Sequence, residues 1–168
     1  MFSSELLSIA VDRALGKETK KLDPVAEELF SIYMHDPNSS TLREEITIAV
    51  AGCKSLEGKL GRDCIGVDGV EKEVKPKNYT KKATNGYTRS RFKKDSAVNL
   101  PMIQSLFVDG LLHYVVEFPY SAIKDRLDEQ VTRICEEEGN RYVRSASWTY
   151  KHWIDCPELK VHYINKNL

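Results

Sequence analysis

The sequence predicts an α/β fold in which a mixed central β-sheet is flanked by helices. Three observations lead to this prediction. Apolar residues recur with helical periodicity in the first third of the chain. Two short segments, 62–67 and 70–75, flank the turn residues Asp68 and Gly69 as in a β-hairpin. The segment 111–118, LLHYVVEF, is rich in β-branched and aromatic residues, which is typical of a buried strand.

The size and composition of the chain predict one soluble domain over residues 1–168. A hydrophobic fraction of 41% and a charged fraction of 30% are ordinary for a globular protein of this length. No segment has the roughly 20 consecutive apolar residues that a membrane-spanning helix needs. The four cysteines have no C-x-x-C spacing and the N-terminus has no basic region before its apolar residues, so we expect a cytoplasmic protein with free thiols.

Extra N-terminal helices are expected over residues 1–40, before the core of the domain. The first covers residues 2–14. The second begins where Asp23 can act as N-cap and Pro24 can occupy the first helical position. A third helix is expected to follow and to continue towards Glu57, since its first turn carries acidic residues that the helix dipole favours.

Residues 41–118 are predicted to form the core, with a basic arm at 76–96, and residues 119–168 a helix and a C-terminal strand pair. The elements expected after the hairpin are a short helix at 99–107, the strand at 111–118, an amphipathic helix at 120–138 that ends at Gly139, and strands at 141–150 and 159–164.

The hairpin carries three residues that can act together, namely Asp63, Glu73 and Lys75. Side chains alternate along a strand, so Glu73 and Lys75 share one face. A three-residue loop at 67–69, with Gly69 in the left-handed conformation, pairs Asp63 with Glu73 and brings it to the same face. A two-residue turn would move Asp63 to the opposite face. The prediction of a common site therefore depends on the three-residue loop.

The pattern Asp63, spacer, Glu73-Val74-Lys75, on a hairpin that follows a helix, resembles that of the PD-(D/E)XK nuclease superfamily. The tripeptide Glu-x-Lys occurs four times in this sequence, and only this copy lies in a predicted hairpin strand with an aspartate at a suitable distance before it. The resemblance covers about residues 41–118. It implies a restriction-endonuclease-like core.

The resemblance also implies a mechanism. Asp63 and Glu73, with the Val74 carbonyl and with Glu57 as an accessory ligand, would hold Mg²⁺, for which Mn²⁺ can substitute. Lys75 would lie beside the attacking water. The implied activity is that of an endonuclease of restriction or phage type, which hydrolyses phosphodiester bonds in DNA through a metal-activated water. Many members of the superfamily act as homodimers, so a homodimer is implied too.

A concentrated positive charge follows the hairpin. Between positions 75 and 94 there are eight basic residues and no acidic one, so the rest of a chain with zero net charge has a balance of −8. Cations bind phosphates, and the interleaved aromatic residues can stack on bases. The segment therefore predicts contact with nucleic acid, with double-stranded DNA as the expected partner. The candidate residues are Lys77, Lys81, Lys82, Arg89, Arg91, Lys93 and Lys94.

Two other interpretations stay open at this point. Asp63 and Glu73 can be structural carboxylates neutralised by Arg62 and Lys72, on a non-catalytic domain that binds nucleic acid or another partner. The same metal site can also serve an RNA-cleaving nuclease. Loss of activity on removal of metal separates an enzyme from a binding module, and competition between nucleic acids separates DNA from RNA.

Overall fold

The computed structural model describes residues 2–36, 41–56, 62–79, 100–140 and 147–166. The helices are α1 (Ser4–Ala14), α2 (Pro24–His35), α3 (Thr41–Val50) and α4 (Ser121–Val131), and the strands are β1 (Lys54–Ser55), β2 (Cys64–Ile65), β3 (Glu71–Tyr79), β4 (Met102–Val108), β5 (Leu111–Phe118) and β6 (Lys160–Ile164). A π-helical turn (Thr132–Glu137) extends α4, and a 3-10 turn (Tyr150–His152) precedes β6.

The six strands form one mixed sheet in the order in which they occur along the chain. β3 and β4 are parallel, whereas every other neighbouring pair is antiparallel. The predicted α/β fold, a mixed sheet flanked by helices, is confirmed at this level. No helix in the described parts of the chain is long and apolar enough to cross a membrane.

Helices cover both faces of the sheet, and the alternation of strand side chains separates the two cores. Ile103 and Val115 point to one face, where they pack with residues of α1, α2 and α3. Met102 and Val116 point to the other face, where they pack with α4 and two buried tryptophans. We call these the α3 face and the α4 face.

The N-terminal helices begin where the sequence predicts them. The Asp23 side chain accepts hydrogen bonds from the backbone N–H groups of Val25 and Ala26 (both 3.1 Å), with Pro24 in the first turn. At the other end of α2, the buried Arg43 guanidinium donates to the carbonyl of Met34 (2.8 Å). A cation that binds the last carbonyls of a helix also compensates the negative end of its dipole.

Several predicted boundaries are wrong, and chain geometry explains them. α3 ends at Val50 because Gly52 follows in the left-handed conformation (φ 68°), so the helix does not continue towards Glu57. β3 continues beyond the predicted end at Lys75 as far as Tyr79.

The segment 102–108 is a strand where the sequence predicts a helix at 99–107. It pairs with β3 on one side and β5 on the other, so neighbouring strands override its local preference. The strand expected at 141–150 is contradicted in its described part, where Tyr150–His152 is a 3-10 turn, while 141–146 lies outside the described residues.

An ion cluster on the α3 face ties three strands together. The Lys72 ammonium, on β3, lies 3.0 Å from both carboxylate oxygens of Glu117, on β5. Lys160 and His162 of β6 also contact Glu117, at 2.9 and 3.0 Å. Burial acts to raise the pKa of Glu117, but these hydrogen bonds outweigh it and hold the pKa below its usual value.

We expect Glu117→Gln to lower the free energy of unfolding by about 3 kcal/mol at pH 7, because it leaves the buried Lys72 ammonium without its main counter-ion. The pKa of Glu117 is lowered in the folded state, so its stabilisation is present above the ordinary glutamate pKa. It is lost as the pH falls through the lowered value. Urea unfolding of wild type and variant should therefore converge in acid.

The matched control is Glu129→Gln, which removes an exposed ion pair with Arg126 (2.6 Å) and should change stability little. A difference between wild type and Glu117→Gln that persists unchanged at acid pH would contradict this account of the cluster.

Candidate catalytic site on the β2–β3 hairpin

The β2–β3 hairpin has the three-residue loop that the sequence predicts. Gly66 N–H donates to the carbonyl of Val70 (2.9 Å), which closes a loop over residues 67–69. Gly69 is left-handed, with φ 74°, as such loops require. In the resulting register, Cys64 pairs with Lys72 and Ile65 with Glu71.

This register brings the three predicted site residues together on the α4 face. Asp63 comes directly before the Cys64–Lys72 pair, and its N–H donates to the carbonyl of Lys72 (3.0 Å). The Lys75 ammonium contacts Glu73 Oε1 and lies 3.9 Å from Asp63 Oδ2. Two carboxylates and one ammonium therefore meet where β2 and β3 diverge.

The Asp63 side chain, and not a backbone carbonyl of β2, accepts the next hydrogen bond that β3 donates across the hairpin. Its Oδ2 accepts a hydrogen bond from Val74 N–H (2.8 Å), so the ladder between β2 and β3 ends at this residue. The Val74 carbonyl accepts instead from the Lys75 ammonium (3.3 Å). Pro76 follows on the same edge of β3, where a residue without an N–H leaves no donor unpaired.

The site is largely withdrawn from solvent, and one of its oxygens lacks a partner in the part of the chain that the structure describes. The side chains of Asp63, Glu73 and Lys75 are 12%, 19% and 13% exposed. Glu73 Oε2 is buried and has no hydrogen-bond partner among the described residues. A buried carboxylate oxygen in this condition is unfavourable unless a donor or a cation reaches it. This oxygen is therefore free, among the described residues, to accept a hydrogen bond or to contact a cation.

The described residues supply a small oxygen donor set for such an ion. Asp63, Glu73 and the Val74 carbonyl are all hard ligands, and Mg²⁺ is commonly bound through one or two carboxylates with several waters retained. Within the described ranges there is no group of three or more His, Cys, Asp or Glu side chains that could hold a metal ion. Glu57, the predicted accessory ligand, lies outside these ranges.

Glu45 of α3 is an acidic residue near the hairpin, but it does not join the site. It accepts a hydrogen bond from Ser55 (2.9 Å), which pairs with Cys64 across β1 and β2. Paired residues in a sheet point to the same face, so Ser55 and Cys64 lie on the face opposite Asp63.

One polar residue beside the site lies on β4, the segment for which the sequence predicts a helix. Gln104 pairs in register with Lys75, and its side-chain oxygen Oε1 accepts a hydrogen bond from Trp148 Nε1 (2.8 Å). Ser105, next along β4, points to the α3 face and bonds to Thr47 (2.6 Å). Neighbouring side chains on a strand point to opposite faces, so the strand character of β4 is the signal that separates Gln104 from Ser105.

The predicted nucleic-acid-binding residues divide into two groups. Lys77 lies on β3, within the sheet, and not in a basic loop. The remaining six, Lys81, Lys82, Arg89, Arg91, Lys93 and Lys94, lie outside the described residues.

Comparison with known proteins assigns no relationship: no protein-family model matches the chain, and no curated protein matches it.

The site predicts competition between Lys75 and a metal ion for the same carboxylates. Lys75→Met removes the competing cation, so we expect Mn²⁺ to bind at least about tenfold more tightly. Glu73→Gln should weaken Mn²⁺ binding by a similar factor. Titration followed by the electron paramagnetic resonance of free Mn²⁺ measures both.

The control is Lys20→Met, which removes an exposed lysine between α1 and α2. Equal Mn²⁺ affinity in wild type, Lys75→Met and Glu73→Gln would show that these carboxylates do not bind the ion.

Proposed function

We propose that this protein is a Mg²⁺-dependent endonuclease, with a restriction-endonuclease-like core, that hydrolyses phosphodiester bonds in DNA. The observation that carries the proposal is the meeting of Asp63, Glu73 and Lys75 on one face of the hairpin, with Glu73 Oε2 buried and unpartnered among the described residues. A purely structural ion cluster would satisfy its carboxylate oxygens, as the cluster around Glu117 does.

The proposed mechanism assigns a role to each residue. Asp63 and Glu73 would hold the metal, and the hydrogen bond from Val74 N–H (2.8 Å) fixes the orientation of the Asp63 carboxylate. Mg²⁺ held there would supply Lewis acidity and allow water to act as a nucleophile near neutral pH. Lys75 leaves Glu73, orients the attacking water and offsets the charge that develops on the phosphate oxygens.

Two features support DNA as the substrate. The region from 75 to 94 carries eight cations and no acidic residue, and neutralising phosphates is the main source of affinity for duplex DNA. Pro101, a few residues after this region in the sequence, accepts a hydrogen bond from Glu73 N–H (3.0 Å), so the chain that follows the region begins its described part beside the site. A homodimer, as the resemblance implies, would supply two sites for the two strands.

Cleavage of supercoiled plasmid in Mg²⁺ or Mn²⁺ tests the proposal. We expect nicking that stops in EDTA and that falls by at least about a hundredfold in Lys75→Ala and Asp63→Ala, because each removes a group that acts in the transition state. Lys20→Ala is the matched control and should cleave as wild type does.

Single-stranded DNA and RNA are assayed in parallel. Cleavage of RNA alone would replace DNA by RNA as the substrate. Failure to cleave any of the three, with binding retained by wild type and Lys75→Ala, would contradict the proposal and favour a non-catalytic nucleic-acid-binding module.

A further inference from the structure

Lys77 lies on β3, two residues after Lys75, although the sequence places it in the predicted basic arm. The strand runs from Glu71 to Tyr79, and alternation puts Lys77 on the same face as Glu73 and Lys75. In register, Lys77 pairs with Leu106 of β4, which pairs with Tyr114 of β5. The ammonium therefore projects from the α4 face, one side-chain position beyond Lys75.

The charge of Lys77 is not compensated in the way that the other β3 lysines are. Lys72 contacts Glu117 and Lys75 contacts Glu73, whereas Lys77 makes no ion pair with any described residue. Lys77 is half-buried, and this burial lowers its pKa. A partly desolvated cation with no counter-ion among the described residues is a position where an anionic ligand gains more than it would at a fully exposed lysine.

The spacing of this cation from Lys75 suits a chain of phosphates. Successive side chains on one face of a strand are about 6.6 Å apart, since each residue rises about 3.3 Å. This distance is comparable with that between neighbouring phosphates along a nucleic-acid strand. If the scissile phosphate lies at Glu73 and Lys75, an adjacent phosphate of the same strand can reach Lys77.

We propose that Lys77 binds the phosphate next to the scissile one and so sets the path of the nucleic-acid strand along β3. The inference rests on the proposed function, because it places the scissile phosphate at the carboxylates. Lys77 acts here as a positioning residue: its compact ammonium binds phosphate oxygens and reads no base. Its effect is therefore independent of nucleotide sequence.

The test is the salt dependence of binding to a fluorescein-labelled 20-base-pair duplex, measured by anisotropy in Ca²⁺, which can occupy carboxylate sites. One lost phosphate contact lowers the slope of log K against log salt by about 0.9. Lys77→Met should show this decrease and bind roughly eightfold more weakly at 0.1 M salt. Lys77→Arg, which keeps the charge, should restore the slope, and Lys20→Met should match wild type.

Kinetics on the same duplex in Mg²⁺ add a second measurement. Lys77→Met should raise KM and leave kcat nearly unchanged. Lys75→Met should lower kcat, because of these two lysines only Lys75 acts on the reacting phosphate. Circular dichroism and thermal unfolding establish that Lys77→Met is folded.

The outcomes separate this inference from the proposed function. An unchanged salt slope in folded Lys77→Met overturns the role of Lys77, even if the wild type cleaves DNA. A lowered slope in a protein that cleaves no substrate supports Lys77 as a phosphate contact and overturns the nuclease proposal alone. Absence of wild-type binding to the duplex overturns both.

Discussion

The register of the β2–β3 hairpin is the constraint on which the candidate site depends. Gly69 takes the left-handed conformation, Gly66 bonds to Val70, and every pair further along the two strands is then fixed. A shift of one residue would send Asp63 to the α3 face and leave Glu73 and Lys75 alone on the other. A turn of three residues thus decides the composition of a site some four residues away.

The buried carboxylates on the two faces of the sheet differ in how fully their oxygens are hydrogen-bonded. On the α3 face, both carboxylate oxygens of Glu117 have hydrogen-bond partners, which are the side chains of Lys72, Lys160 and His162. This cluster ties β3, β5 and β6 together. On the α4 face, Glu73 Oε2 has no partner among the described residues. A buried polar group without full compensation is a position where a ligand can supply the missing interaction.

The sequence predicts local features well where one residue has one strong preference. Asp23 and Pro24 begin α2 as expected, and Gly139 ends the helical region after α4 in the left-handed conformation (φ 71°). It fails at β4, where the segment 102–108 is a strand because it lies between β3 and β5. Local preference cannot reveal neighbours that are distant in sequence, so Gln104 was expected on a helix and is found on a strand beside Lys75.

The sequence by itself determined the α/β class, the hairpin and the identity of Asp63, Glu73 and Lys75 as residues that can share a face, because turn chemistry and the period of two are local properties. Only the tertiary structure decided that this face is partly buried, that one Glu73 oxygen has no partner among the described residues, and that Lys77 belongs to the strand. Burial and pairing come from β4 and the packed helices, which are brought to the hairpin only when the whole sheet has formed.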